Sequence, residues 1–169
     1  GANGVSSIAG AAYVVFGKAG GFGANVNLST LNGTTGFQIS GEVAGDFAGF
    51  SVSSAGDVNG DGFDDIIVGA YWADPNGDSS GAAYVVFGKD TGWTPAVGLG
   101  NVSGFTISGV EAQSNLGLSV ASAGDVNGDG YADVIVGAPY VTVAGLINVG
   151  RSYVAVSYTH LTLPTKRIV

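Results

Sequence analysis

The sequence contains no cysteine and no methionine, one histidine and few basic residues. Without cysteine the chain has no disulfide framework, no thiolate metal site and no cysteine nucleophile. Only three of its five Lys and Arg residues precede residue 156, which is too few to neutralise a nucleic acid backbone. These absences predict a protein that neither binds nucleic acid nor uses thiol chemistry.

Long apolar runs are also missing. The most apolar stretch, residues 134–149, is shorter than a membrane span and contains Gly137, Pro139 and Gly145. We interpret it as a pair of core strands and predict no membrane insertion. Because there is no Met and no signal-peptide pattern at Gly1, we expect the sequence to come from the middle of a longer chain.

Glycine, by contrast, is abundant, at 31 of 169 residues. Short runs of Val, Ile, Tyr and Phe lie between clusters of Gly, Asn, Asp and Ser, a composition typical of short strands joined by tight turns. The composition therefore predicts an all-β protein.

Internal repetition is the strongest pattern in the sequence. The segment GFSVSSAGDVNGDGFDDIIVGAY from Gly49 recurs as GLSVASAGDVNGDGYADVIVGAP from Gly117, 68 residues later. GAAYVVFGK occurs at Gly10 and again at Gly81, and a shorter relative, GRSYVAV, starts at Gly150. Repeats of this length with several apolar runs each indicate one small sheet per repeat.

Each repeat contains four strand-like runs. In the unit that is complete, they are residues 50–58, 65–71, 81–87 and 105–109, each bounded by turn residues. A four-stranded sheet repeated about every 68 residues is how a β-propeller blade is built. Propellers close with about four to eight blades, so we predict a propeller fragment of four-stranded antiparallel blades.

The repeat boundaries divide the chain into four parts. Residues 1–46 hold the last strands of one blade and a loop, residues 47–109 a complete blade, and residues 110–155 three strands of the next. Residues 156–169 begin with VSYTHLTLPT, which resembles a translated sequencing adapter. We predict that this last segment is a non-native tail.

Two acidic loops carry the candidate chemistry. Six of the thirteen acidic residues recur at matching positions one, five and nine of DVNGDGFDD and DVNGDGYAD. Side-chain oxygens at positions one, three, five and nine and a carbonyl at position seven can converge on one cation, while Gly at position six permits the sharp turn. Ca²⁺ suits such a loop because it accepts six to eight oxygens in loose geometry, unlike Mg²⁺.

We therefore predict two Ca²⁺ sites, with Asp64 as a bystander because it aligns with Ala132. A plain hairpin turn would not require Asp three times in both loops. An EF-hand or dockerin would require an acid at position twelve, where Val68 and Val136 stand. The predicted ligands are the side chains of Asp57, Asn59, Asp61 and Asp65 with the carbonyl of Phe63, and those of Asp125, Asn127, Asp129 and Asp133 with the carbonyl of Tyr131.

These features resemble FG-GAP repeats, the blades of integrin-α-type propellers. The resemblance rests on the Gly before each loop, the D-x-N-x-D-G-x-x-D loop and Gly137-Ala138-Pro139, and it covers most of residues 10–155. The first repeat departs from it with Gly69-Ala70-Tyr71, and the Phe-Gly pair is Ala48-Gly49 or Leu116-Gly117. The resemblance implies Ca²⁺ between the first two strands of a blade, an extracellular or cell-surface location, and an adhesion or ligand-binding role. We expect a bacterial secreted protein.

No enzyme is predicted in this chain. The one histidine, His160, lies in the suspected tail, and the carboxylates Glu42, Asp46 and Glu111 are typical of solvated loop charges. We expect a scaffold that binds a protein or glycan through its face loops and packs on further blades of the same parent chain. An accessory propeller of a larger secreted carbohydrate- or ester-processing enzyme is the alternative.

The face loops that could carry a ligand are Tyr71–Ser80, with Trp72, and residues 90–100, with Trp93. Either tryptophan could instead pack between blades, and this second interpretation suits Trp93 better than Trp72.

Overall fold

The computed structural model of the protein describes residues 9–156. Within that range the chain forms β-strands and two single-turn 3₁₀ helices but no α-helix, so the all-β prediction is confirmed. The predicted non-native tail lies outside the described residues except for Val156. The strands are β1 (Ala11–Val15), β2 (Gly36–Ser40), β3 (Ser51–Gly56), β4 (Asp65–Ala70), β5 (Ala82–Val86), β6 (Ala96–Gly98), β7 (Gly104–Ser108), β8 (Ser119–Gly124), β9 (Asp133–Ala138) and β10 (Arg151–Ala155).

The strands form three sheets. The middle sheet has the order β3-β4-β5-β7 with every pairing antiparallel, which confirms the predicted four-stranded antiparallel blade. A second sheet has the order β8-β9-β10, also antiparallel. In the remaining sheet β1 pairs antiparallel with β2, and β2 pairs with β6.

Two features differ from the prediction. The pairing of β6 with β2 is parallel, so a segment between β5 and β7 joins the preceding sheet. Residues 134–149 are not a strand pair: β9 ends at Ala138, and the stretch continues as a loop closed by a bridge between Val143 and Leu146. Val134, Val136 and Val141 are buried but Leu146 and Ile147 are exposed, so the apolar composition of the segment reflects burial only in part. No helix of the described residues has the length and apolar character that crossing a membrane requires.

Burial follows the stacking of the sheets. In β5 every residue is buried, because alternate side chains face the neighbouring sheets on either side. Ala82, Tyr84 and Val86 pack with the β2 side, whereas Ala83 and Val85 pack with the β9 side. Strand β1 has the same five-residue sequence, AAYVV, but its residues are mostly half-buried. Tyr13 is 46% exposed, whereas its counterpart Tyr84 is 8% exposed. Position between two sheets, and not sequence, therefore determines how much of this strand is buried.

Glycine permits the close approach of neighbouring sheets. Gly81 has φ +80° and forms a parallel bridge with Leu116, whose backbone occupies the space that a Cβ would take. Ser51 Oγ donates a hydrogen bond of 2.7 Å to the carbonyl of Gly117. Ala48 and Leu116, which replace Phe of the resembling pattern, are both buried. The sheets thus touch backbone to backbone, which explains glycine at matching positions of both repeats.

Candidate metal centres

A β-bulge introduces each acidic loop. The register between β3 and β4 shifts between Ser54 and Gly56, and the register between β8 and β9 shifts between Ser122 and Gly124. The two bulge glycines have φ of +74° and +69°, a left-handed conformation that Gly adopts without steric cost. The bulge ends the pairing and turns the chain outward at the first Asp of each loop.

In the first loop, the carboxylate of Asp57 organises the backbone. Its Oδ1 accepts hydrogen bonds from the N–H groups of Gly60 at 2.7 Å and Asp61 at 3.1 Å, and its Oδ2 accepts one from Gly62 at 2.9 Å. Gly60 and Gly62 have φ of +76° and +87°. The carboxylate therefore closes the turn that the sequence pattern predicts.

The second loop adopts the same arrangement. Asp125 Oδ1 accepts from the N–H groups of Gly128 at 2.7 Å and Asp129 at 3.1 Å, and Oδ2 accepts from Gly130 at 2.9 Å. These N–H donors, of which Gly130 has the largest effect, hold the pKa of the Asp125 carboxyl below its usual range, because they stabilise the ionised form. Two segments 68 residues apart thus share one conformation.

The third and fifth positions also face each other. Asn59 Nδ2 donates to Asp61 Oδ2 at 2.8 Å, and the corresponding bond from Asn127 to Asp129 is 2.7 Å. The other carboxylate oxygen, Oδ1 of Asp61 or Asp129, accepts from the backbone N–H at position seven, that of Phe63 or Tyr131. Positions one, three, five and seven therefore lie within one hydrogen-bonded turn.

The ninth position closes the loop from the strand side. Asp65 is 1% exposed; its Oδ2 accepts from Val58 N–H at 2.9 Å and its Oδ1 from Gly88 N–H at 2.8 Å. Burial raises the pKa of the Asp65 carboxyl, the two N–H donors lower it, and the charges of Asp61 and Asp57 raise it further. The charges of Asp61 and Asp57 are thus felt at the buried carboxyl of Asp65.

Asp133 takes the equivalent place in the second loop. It is fully buried, and its Oδ2 accepts from Val126 N–H at 2.9 Å. The two ninth-position carboxylates are therefore anchored to their own loops in the same way.

The chemistry of these donors fits a hard divalent cation, because all the predicted side-chain ligands present oxygen. Within residues 9–156, however, no three Asp, Glu or His side chains are arranged as a group that could hold a metal ion. The Asp57 carboxylate instead accepts three backbone N–H bonds, which leave part of its roughly four lone-pair positions open to a further ligand. The metal assignment stays a prediction. Asp64 is exposed, as expected of a bystander.

The two acidic loops are in contact, which no sequence pattern predicts. The N–H of Ala132 donates a 2.9 Å hydrogen bond to the carbonyl of Asp57, and the ring of Tyr131 lies over Gly60. The first loop is partly covered as a result: Val58 is 2% exposed, whereas its counterpart Val126 is 57% exposed. Only tertiary structure could reveal this, because the two loops are nearly identical in sequence.

The two candidate face loops lie at opposite ends of the blade. The Tyr71–Ser80 loop is at the other end of β4 from the acidic loop, whereas residues 90–100 follow β5 at the same end as the acidic loop, because Val86 pairs with Ile66. Trp72 is half-exposed, and its ring meets that of Phe47 edge-on at 5.1 Å, while the rings of Phe50 and Tyr71 are 4.7 Å apart. Trp93 instead stacks on the buried ring of Phe37, with centroids 4.0 Å apart. Trp93 is therefore a packing residue, and the Tyr71–Ser80 loop keeps the exposed aromatic surface.

The three carboxylates expected to be solvated differ from one another. Glu42 is exposed, and Glu111 lies 3.3 Å from Arg151 in an ion pair. Asp46 contradicts the expectation, since it is 8% exposed. Burial, and then the charges of Asp74 and Glu42, raise the pKa of its carboxyl. The turn before Phe47, whose φ is +55°, folds this carboxylate inward.

Replacing Asp46 with Asn should therefore stabilise the protein at neutral pH. A raised pKa means that the folded state holds the proton more tightly than the unfolded state, so stability is greatest below the ordinary value of 3.8 and falls as pH rises through the folded pKa. Asn carries no charge and removes that loss. Urea unfolding of both proteins at pH 4 and pH 7 tests this: the advantage of Asp46→Asn should appear at pH 7 and shrink at pH 4. An advantage of equal size at both pH values would contradict it.

Stacked sheets, two of which have an Asp-rich loop between their first two strands, define a repeat protein built from propeller-like blades. Residues 48–86 and 116–155 match the FG-GAP repeat family. Both matched segments contain a complete acidic loop. The chain therefore contains FG-GAP repeats, and the resemblance noted from its sequence is confirmed.

The chain is also similar to integrin alpha proteins. It is 34% identical over 113 residues to integrin alpha-PS2 of Drosophila melanogaster, covering 62% of this chain and 7% of that protein. It is 39% identical over 85 residues to human integrin alpha-6, covering 50% of this chain and 7% of that protein. With integrin alpha-5 of Xenopus laevis it shares 33% identity over 121 residues, 67% of this chain and 11% of that protein. The chain thus spans about a tenth or less of these relatives' length.

Proposed function

We propose that both acidic loops bind Ca²⁺ and that the chain is a calcium-stabilised, non-enzymatic part of an extracellular adhesion or ligand-binding scaffold. The observation that carries the proposal is the matching hydrogen-bonded conformation of the two loops. In each, the carboxylates of positions one and five belong to one turn, and the buried carboxylate of position nine bonds the same loop. In the first loop, burial and then the charges of Asp61 and Asp57 raise the pKa of the Asp65 carboxyl. Bound Ca²⁺ would neutralise most of that charge.

The residues have separate tasks in this proposal. Asp57, Asn59 and Asp61 and their counterparts Asp125, Asn127 and Asp129 hold the turn and offer oxygens from it. Asp65 and Asp133 offer oxygens from the start of β4 and β9, which ties the ion to the blade core. The carbonyls of Phe63 and Tyr131 complete each set.

The blade partition and the binding face belong to the same proposal. We assign residues 47–109 to one blade, 110–155 to three strands of the next, and 1–46 to the end of the preceding blade. A protein or glycan ligand would meet the exposed aromatic surface of the Tyr71–Ser80 loop. The proposal includes an extracellular or cell-surface location, which the similarity to integrin alpha proteins supports.

Calcium titration of the full chain tests the proposal. We expect two Ca²⁺ to bind by calorimetry, and at millimolar Ca²⁺ with a Kd of about 10⁻⁴ M each site would add roughly 1.4 kcal/mol to the free energy of unfolding. Both sites together should raise Tm by roughly 5–10 °C relative to protein in chelator.

The double variant Asp61→Ala, Asp129→Ala should lose both the binding and the rise in Tm. Asp64→Ala is the matched control, since it removes an acid from the same loop at a position where the second repeat has Ala132. It should behave as the unaltered protein does. A folded protein that neither binds Ca²⁺ nor melts higher with it would show that the loops are turns only.

A further inference from the structure

The two acidic loops are in direct contact, and the contact is one-sided. A Cβ on Gly60 would collide with the ring of Tyr131, whose Cδ1 would lie 3.0 Å away. A Cβ on Gly56 would lie 2.6 Å from Cβ of Ala132. Among the described residues, nothing comes within 4 Å of a Cβ placed on the matching glycines of the second loop, Gly124 and Gly128. The second loop therefore covers the first, and no described residue covers the second in this way.

A single peptide group belongs to both loops. Its carbonyl is that of Tyr131, a predicted ligand of the second site, and its N–H is that of Ala132, which donates to the carbonyl of Asp57 at 2.9 Å. Asp57 in turn provides the first ligand of the first site. Hydrogen-bonded peptide groups polarise one another, so a cation near the carbonyl of such a group strengthens its N–H as a donor.

We propose that Tyr131 and Ala132 are positioning residues for the first loop, and that the affinities of the two loops for Ca²⁺ are coupled through this peptide group. The inference rests on the proposed function, since it requires that both loops bind Ca²⁺. Ordering the second loop fixes Tyr131 over Gly60 and holds the carbonyl of Asp57, so the first loop loses less conformational entropy when it is filled. By linkage the effect is reciprocal: filling the first loop raises the affinity of the second by the same factor.

The coupling can be measured by calorimetric Ca²⁺ titration of three forms of the full chain. Asp129→Ala leaves only the first site and Asp61→Ala leaves only the second, so each variant gives one single-site association constant. The unaltered chain gives the product of the two association constants when both sites are present. The coupling factor is that product divided by the product of the two single-site constants. We expect a factor of about 5 or more, at the lower end of values for coupled sites.

A matched pair of glycine variants tests the contact itself. Gly60 and Gly128 have the same loop position and the same φ of +76°, so alanine introduces the same backbone strain at both. Alanine at position 60 also displaces the Tyr131 ring, whereas at position 128 it meets no described residue. The unaltered chain, Asp129→Ala and Asp61→Ala are each combined with Gly60→Ala and, separately, with Gly128→Ala. The coupling factor should fall to about 1 with Gly60→Ala and persist with Gly128→Ala. Direct effects on one site cancel, because each background supplies its own single-site constants.

If Gly60→Ala does not fold, Tyr131→Ala replaces it, with Tyr131→Phe as the partner that keeps the ring. The factor should then fall with Ala and persist with Phe. Two sites with a factor of 1 in the unaltered chain would overturn the coupling and leave the proposed function intact. A factor that survives loss of the Tyr131 ring would overturn the positioning role. Absence of any Ca²⁺ binding would overturn the proposed function and this inference together.

Discussion

Replacing Gly81 with Ala should lower the free energy of unfolding by at least about 3 kcal/mol. Two costs combine at this position. Its φ of +80° is left-handed, which costs an alanine roughly 1–2 kcal/mol. The added Cβ would also lie inside van der Waals distance of the backbone of Leu116, including its carbonyl carbon at 2.8 Å. Backbone atoms of a neighbouring sheet cannot move aside as a flexible side chain can, so the sheets would have to separate.

Gly92→Ala measures the first cost alone, so the difference between the two variants gives the second. Gly92 has φ +78°, but among the described residues no atom lies within 4 Å of a Cβ added there, so only the conformational strain applies. Urea unfolding of both variants and the parent should show a loss of about 1–2 kcal/mol for Gly92→Ala and a clearly larger one for Gly81→Ala. Equal losses would mean that the close approach of the sheets contributes little to stability.

Replacing Asp65 with Ala should cost about 2–5 kcal/mol even in chelator, because it leaves the N–H groups of Val58 and Gly88 without their carboxylate acceptor. Val58 is buried and Gly88 is half-buried at the end of β5, so water replaces the lost bonds poorly. Asp65→Asn should lose less stability than Asp65→Ala for two reasons. It keeps one carbonyl oxygen as an acceptor, and it removes the charge of a carboxyl whose pKa is raised by burial.

Asp61→Ala is the control for this prediction. Asp61 is exposed and bonds only within its own loop, so its loss in chelator should be below about 1 kcal/mol. In millimolar Ca²⁺ both variants should additionally lose the stabilisation that the first site provides. Should the two variants be equally stable in chelator, Asp65 would serve the metal alone and not the fold.

Most strands could be predicted because each is a short apolar run bounded by glycine and repeated at a fixed offset. β6 could not, since the three residues Ala96–Gly98 show no alternation and pair with a strand more than fifty positions earlier. The stretch after Ala138 was wrongly assigned because apolar composition alone does not distinguish a buried strand from an exposed loop.

The acidic loops show the same limit. Spacing predicts which oxygens share a turn, and the structure brings positions one, three, five and seven together within each loop. Spacing cannot show that Asp65 also bonds Gly88 across the sheet, or that Tyr131 rests on Gly60. Both contacts join segments that are distant in sequence, and no local pattern encodes them. The roles of Ca²⁺, a ligand and any attached enzyme likewise stay predictions.

The parallel strand β6 has a consequence for how the protein comes apart. The backbone N–H of Gln38 in β2 donates a 2.9 Å hydrogen bond to the carbonyl of Pro95. Backbone hydrogen bonds therefore link a segment of one repeat to the sheet of the repeat before it. The unit that repeats in sequence is therefore not the unit that can melt alone. In repeat proteins the interface between neighbours contributes a separate share of stability, and bonds that cross it enlarge that share. Opening one blade must also release the edge of the next, which favours a single cooperative transition over stepwise loss of blades.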